Sequence, residues 1–161
     1  MTHLHEHRFL KCPYTRAKGY LHEALQSLAS TQGQQRLTLQ VPFSDARGLR
    51  KDVLVTYGTG ADPMHFDEPW HIHWVPAGGG PYPEFDGELT IRADQDYPTS
   101  IIELTGAYKP PLGVAGALFD AVAGSKIASV TAQKLLAELG DEMERRYRSE
   151  ESLKQRERAP G

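Results

Sequence analysis

The chain has 161 residues, of which 39% are hydrophobic and 24% are charged, and its formal net charge is -3. This length and composition are typical of one soluble globular domain with a core of its own. The acidic balance disfavours a nucleic-acid-binding protein, which would normally present a basic surface to the phosphates.

The N-terminal region predicts one strand and one helix. Residues His3 to Leu10 alternate in type and are followed by Pro13, which ends a strand. Between Thr15 and Leu28 the apolar residues recur at spacings of three and four, which predicts an amphipathic helix. Thr15 is its predicted N-cap.

Five further runs have the two-residue period of strands. They are Arg36–Val41, Leu49–Tyr57, Glu68–Val75, Phe85–Ala93 and Ser100–Tyr108. Each run has one apolar and one polar face, as in an antiparallel sheet that is covered on one side. The continuous apolar runs of a parallel sheet are absent. A seventh strand at Met64–Phe66 is left open.

The C-terminal third predicts two helices. Pro110 and Pro111 end the sheet, and a short helix is expected at Val114–Ala123. A long helix follows, with Ser125 as its N-cap and Gly140 interpreted as a close contact or a bend. Its apolar stripe consists of Ala128, Ala132, Leu135, Leu136, Leu139, Met143 and Tyr147. The charged residues 149–161 are expected to form a disordered tail.

This order of elements, with two of its motifs, resembles the SRPBCC superfamily of START-like, helix-grip proteins, and its polyketide-cyclase-like members above all. The motifs are Phe85-Asp86-Gly87-Glu88-Leu89 and Tyr108-Lys109-Pro110-Pro111-Leu112-Gly113. The resemblance implies a seven-stranded antiparallel sheet that wraps around the last helix, with an apolar cavity between them. Members of the superfamily bind lipids, polyketides and hormones, and some catalyse cyclisation or hydrolysis. The motifs are architectural, so no catalytic residue follows from them.

We therefore expect one α+β helix-grip domain over residues 1–148 that binds an apolar or amphipathic small molecule, lipid-like or polyketide-like. The functional alternatives are a polyketide cyclase or hydrolase on the same fold, and a protein-interaction module with a filled core. No cofactor and no metal are expected, and a homodimer is left open. The expected lining consists of Val53, Val55, Tyr57, Trp70, Ile72, Trp74, Leu89, Ile91, Ile102, Leu104, Tyr108, Leu135, Leu139 and Met143.

The histidines are the obvious candidates for chemistry. His3, His5 and His7 share one strand face, where they either bind zinc or copper or are simply solvated, and the solvated interpretation is favoured. His71 and His73 face solvent if the alternating residues Trp70, Ile72 and Trp74 face inward, as the burial of two tryptophans favours. The inverse orientation would place both imidazoles in the cavity as general bases.

The remaining polar features favour ordinary structural roles. Asp86, Glu88 and Glu103 lie on the polar strand faces and are expected to be solvated, with Arg92 forming a cross-strand pair with Glu103. Gly78-Gly79-Gly80 lacks the Lys-Ser/Thr of a phosphate-binding loop and is expected to connect two strands.

The only cysteine, Cys12, leaves no partner for an internal disulfide and is expected to be an inert thiol. No apolar run reaches the roughly 18 residues of a membrane span. The first residues lack the layout of a signal peptide. A cytoplasmic protein without membrane insertion is therefore expected.

Overall fold

A computed structural model describes residues 2–28, 34–41, 49–58, 69–80, 82–96, 98–109 and 121–159 of the chain. The elements in chain order are β1 (Thr2–Leu10), α1 (Tyr14–Leu28), β2 (Gln34–Val41), β3 (Leu49–Gly58), β4 (Trp70–Pro76), β5 (Glu84–Ala93), β6 (Ser100–Lys109) and α2 (Ala121–Arg158). The six strands agree with the predicted runs to within two residues at each end. The possible strand at Met64–Phe66 and most of the predicted short helix Val114–Ala123 lie outside the described residues.

The six described strands form one antiparallel sheet in the order β1-β6-β5-β4-β3-β2. Burial alternates along the strands because only one face is covered. In β4, for example, Ile72 and Trp74 are buried, whereas His71 is exposed. The register places Trp74 beside Val55 of β3 and Phe85 of β5, so the apolar residues of neighbouring strands form continuous rows across one face.

Both helices cover this inner face. Helix α2 packs against β1, β6 and β2, and α1 packs against α2 and against β5 and β6. The predicted apolar stripe of α2 is confirmed, since all of its members are buried except Tyr147, which is half-buried at the edge of the core. The result is an α+β fold in which a sheet holds a long C-terminal helix.

The predicted helix starts were wrong. Helix α2 already includes residues 121–124, so Ser125 lies within it and is not its N-cap. Gly124 does not interrupt the helix; it is buried beside the ring of Tyr108, which lies 4.0 Å from the place of a Cβ. In α1 the carbonyl of Pro13 accepts hydrogen bonds from the N–H groups of Arg16 and Ala17, so the helix begins before Thr15.

The end of α2 differs from the expected disordered tail, because the helix continues through Arg158. Charged side chains hold the first part of this extension. Arg16 of α1 pairs with Glu150 and with Glu151, the latter at 3.0 Å. These contacts join the turn around Glu150 to a neighbouring helix, whereas residues 152–159 are exposed to solvent. Composition alone does not predict such contacts between helices.

Gly140 of α2 packs closely against a side chain of the sheet. A Cβ built on it would lie 2.8 Å from three atoms of the Arg8 guanidinium. Arg8 reaches inward from β1 and donates hydrogen bonds to the carbonyl oxygen of Ala137 at 2.7 Å and to Asp141 at 2.8 Å. Of the two interpretations of Gly140, close packing is therefore the one that the structure supports.

Candidate functional site

The predicted lining residues all lie on the inner sheet face or on the face of α2 that meets it. Eleven of the fourteen are no more than 3% exposed, and ten of these have no exposed surface. A side chain without accessible surface borders no void of water size, so these residues form a packed floor.

The other three lining residues, Tyr57, Trp70 and Ile91, are half-buried. Tyr57 is the register partner of Ile72, and Trp70 precedes Ile72 by two residues on the same face, so the two rings are diagonal neighbours. The Trp70 ring also lies 5.6 Å from the His22 ring of α1. Among the described residues, the inner face is therefore least covered near the end of β3 and the start of β4, where Trp70 meets His22.

The orientation of strand β4 determines which way His71 and His73 face. Its inward residues are Ile72 and Trp74, which have no exposed surface, with Trp70 half-buried beside them. His71 and His73 point to the opposite, solvated face, where Asp86 lies 3.3 Å and 3.5 Å from their nearest ring nitrogens. The outward orientation is therefore confirmed, and neither imidazole is placed to act as a base inside the fold.

An aromatic stack explains the Phe-x-Gly-x-Leu motif. The ring of Phe85 stacks on Trp74 with 4.2 Å between centroids. It lies over Gly87 and Gly106, which face each other across β5 and β6. A Cβ on Gly87 would lie 2.5 Å from Phe85 Cζ and 2.8 Å from the Gly106 Cα. Glycine is needed there because the aromatic ring occupies the space of a side chain.

A chain of polar side chains lies beside the half-buried rings. The Tyr57 hydroxyl donates a hydrogen bond to Gln35 Oε1, and Gln35 Nε2 donates to Glu138 Oε2 of α2 at 2.7 Å. Gln35 is only 3% exposed, whereas the Glu138 side chain is 33% exposed. Burial, and then the Glu138 charge, raise the pKa of Tyr57 well above its ordinary value, so the hydroxyl stays protonated and available as a donor.

Gln35 and Glu138 were not predicted as site residues. Gln35 has the same parity as Leu37 and Leu39, which are both buried, so the strand period would have placed it on the inner face had β2 been extended to Gln34. Glu138 precedes Leu139 on α2, next to the apolar stripe. No local signal indicated that the two side chains meet, since 103 residues separate them.

A second buried polar contact lies elsewhere on α2. The hydroxyl groups of Tyr82 and Thr131 form a hydrogen bond, and Thr131 also donates to the carbonyl oxygen of Ile127 at 2.7 Å. Burial raises the pKa of Tyr82 to about 12, an effect that the hydrogen bond to Thr131 partly offsets. This tyrosine is satisfied within the fold and serves its packing.

The other candidate groups lie on the solvated face or in the core. His3, His5 and His7 are exposed. Glu103 accepts a hydrogen bond from Arg92 on the neighbouring strand, which confirms that predicted pair. Cys12 is fully buried, and burial raises the pKa of its thiol to about 11, in agreement with an inert thiol.

Within the described ranges, no three His, Cys, Asp or Glu side chains are grouped to hold a metal ion. Over the same ranges, every helix is too short or too polar to span a bilayer.

Comparisons with solved structures found several similar proteins. The Zhui aromatase/cyclase from Streptomyces sp. R1128 is similar over 91% of this chain and 95% of its own, with a TM-score of 0.55 and 17% identity. A START superfamily protein from Mycobacterium smegmatis covers 89% of this chain and 97% of its own, with a TM-score of 0.49 and 11% identity. A conserved protein from Geobacillus kaustophilus covers 90% and 94%, with a TM-score of 0.49 and 12% identity.

Searches with family models and against curated proteins returned no match. At identities this low, structural similarity establishes the fold and leaves the activity open. The sheet order, the long C-terminal helix and the match to the aromatase/cyclase agree on one architecture. The protein has an α+β helix-grip fold similar to that of the aromatase/cyclase.

Proposed function

We propose that this protein binds an apolar or amphipathic small molecule, lipid-like or polyketide-like, between the sheet and helix α2. The observation that carries the proposal is the orientation of β4. Its aromatic and aliphatic side chains lie on the inner face and its two histidines lie on the solvated face. An apolar inner face with few polar groups suits binding better than acid–base chemistry.

The half-buried end of the inner face is the proposed entrance. Tyr57 and Trp70 offer aromatic surface there, and the polar chain through Gln35 to Glu138 offers hydrogen bonds. Aromatic side chains with polar tips are suited to orienting a ligand in an apolar pocket. The fully buried residues such as Ile72 and Leu135 form the floor beneath this entrance.

An enzyme on the same fold is the second candidate, because the matched Streptomyces protein is named an aromatase/cyclase. The half-buried Tyr57 and the buried Tyr82 carry hydroxyl groups whose pKa is raised by burial. Such groups are poor bases at neutral pH. An interaction module is the third candidate, and the exposed Phe9 on the edge strand β1 is the feature that favours it.

Native mass spectrometry of the purified protein, followed by denaturing extraction, tests the proposal. A retained apolar molecule is the expected result. In parallel, an aromatic ligand should quench the fluorescence of Trp70. The Trp70→Phe variant keeps only the buried Trp74 and should lose that quenching. The double variant His71→Ala/His73→Ala is the control, since both side chains face away from the site.

Three results would count against the proposal or move its site. No mass shift and no quenching with any apolar ligand would favour a filled core and an interaction role. Conversion of a ligand, lost when Tyr57 is replaced by phenylalanine, would favour the enzyme. Quenching that survives in Trp70→Phe would move the site away from this end of the sheet.

A further inference from the structure

The hydrogen bonds that link Tyr57, Gln35 and Glu138 all run in one direction, from donor to acceptor along the chain. This restricts the ligands that the three side chains can recognise. Tyr57 donates to the Gln35 oxygen and Gln35 donates to a Glu138 oxygen. The Tyr57 hydroxyl oxygen and the Glu138 carboxylate keep lone pairs that can accept further hydrogen bonds. The site therefore offers chiefly acceptors, and it ends in a negative charge.

Neighbouring charged residues do not cancel the negative charge of Glu138. Lys134 lies 3.8 Å from Glu138, but its side chain is 47% exposed and the pair lies along the helix surface, where water screens it. His22 of α1 is exposed and shares a hydrogen bond with Gln26 at 3.0 Å. Arg36 and Asp52 pair with each other and lie on the opposite face of the sheet. Among the described residues around the site, the Glu138 carboxylate therefore determines the sign of the electrostatic potential.

We propose that this chain selects ligands whose polar end is a neutral hydrogen-bond donor, such as a phenol or an alcohol on an aromatic frame, and that Glu138 excludes carboxylates. This inference rests on the proposed function. A hydroxyl group can donate to Tyr57 or Glu138 and accept from the second N–H of Gln35. A carboxylate would bring a second negative charge next to Glu138 in a partly desolvated site, where like charges repel strongly.

Three probes that share one ring system test the proposal: naphthalene, 2-naphthol and 2-naphthoate. Their affinities are measured by quenching of Trp70 at neutral pH and low ionic strength. The protein should bind 2-naphthol at least tenfold more tightly than 2-naphthoate, and more tightly than naphthalene. In Glu138→Gln the preference for 2-naphthol over 2-naphthoate should fall below threefold, because the charge is lost and the amide can still hydrogen-bond.

The matched control is Glu142→Gln, which removes the same charge from α2 one turn further on, where Glu142 pairs with Arg145 at 2.6 Å. It should leave the tenfold preference unchanged. Tyr57→Phe should reduce the advantage of 2-naphthol over naphthalene, because one of the two acceptors for its hydroxyl group is lost, whereas Tyr20→Phe, whose hydroxyl binds Glu150 instead, should keep it.

The outcomes separate this inference from the proposed function. If the probes bind but 2-naphthoate equals 2-naphthol, or the preference survives in Glu138→Gln, the selection against carboxylates is refuted and the ligand site stands. If none of the three probes binds the native protein, the site itself is refuted, and this inference is refuted with it.

Discussion

Replacing Gly140 by alanine sets two opposing effects against each other at one position of α2. Alanine is the better helix former, by about 1 kcal/mol in a helix interior. Its Cβ would lie only 2.8 Å from the guanidinium of Arg8, which reaches over the helix at this point. The guanidinium must then move, because Gly140 belongs to the buried backbone of a long helix.

The magnitude follows from what Arg8 loses when it moves. Its hydrogen bond to the carbonyl of Ala137, at 2.7 Å, is partly buried, and such bonds from charged donors contribute about 1.5–3 kcal/mol. Its ion pairs contribute less, since the Asp141 carboxylate is 74% exposed and the Glu144 carboxylate lies 3.5 Å away. The expected net effect of Gly140→Ala is a loss of about 0.5–2 kcal/mol in the free energy of unfolding.

A double-mutant cycle with Arg8→Ala isolates this contact. Without the guanidinium, Gly140→Ala should stabilise the protein by about 1 kcal/mol, so the same substitution changes sign between the two backgrounds. Urea unfolding followed by circular dichroism measures all four proteins. In a domain of this size, 1 kcal/mol corresponds to about 2–4 °C in melting temperature. A Gly140→Ala protein that is stabilised equally in both backgrounds would refute the reasoning.

Two further predictions concern local packing and the thiol. Gly87→Ala should cost about 3 kcal/mol, because its Cβ would meet both the Thr105 carbonyl oxygen and the Phe85 ring, the latter at 2.5 Å. Gly19→Ala, with no atom within 4 Å of its Cβ, should instead stabilise the protein by about 0.5–1 kcal/mol, and melting temperatures compare the two. An unchanged Gly87→Ala protein would contradict the ring placement. Cys12 should resist a thiol reagent at pH 8 until the protein unfolds. Because burial raises its pKa from 9.0 to about 11, stability from the neutral thiol should be complete below pH 9 and decline towards pH 11. Rapid labelling of the folded protein would show that the residue is accessible.

The strand and helix patterns could be predicted because they depend on periods within one segment. Residues Phe85 to Ala93 alternate so regularly that only one face can be covered, and the apolar stripe of α2 fits one helical face over about five turns. Helix ends were harder to place. Gly124 and Ser125 have the residue types of a boundary, but α2 runs through both of them without interruption.

The sequence by itself determined the α+β class, the six strands and the candidate lining, because a two-residue or 3.6-residue period is a property of a few consecutive side chains. Only the tertiary structure decided which lining residues border solvent, since half-burial at Tyr57 and Trp70 depends on what lies across from them. It also decided the contacts of Gln35 with Glu138 and of Arg8 with Gly140. These pairs lie more than 100 residues apart in the chain. Such long-range contacts depend on strand order and helix placement, which no local pattern encodes.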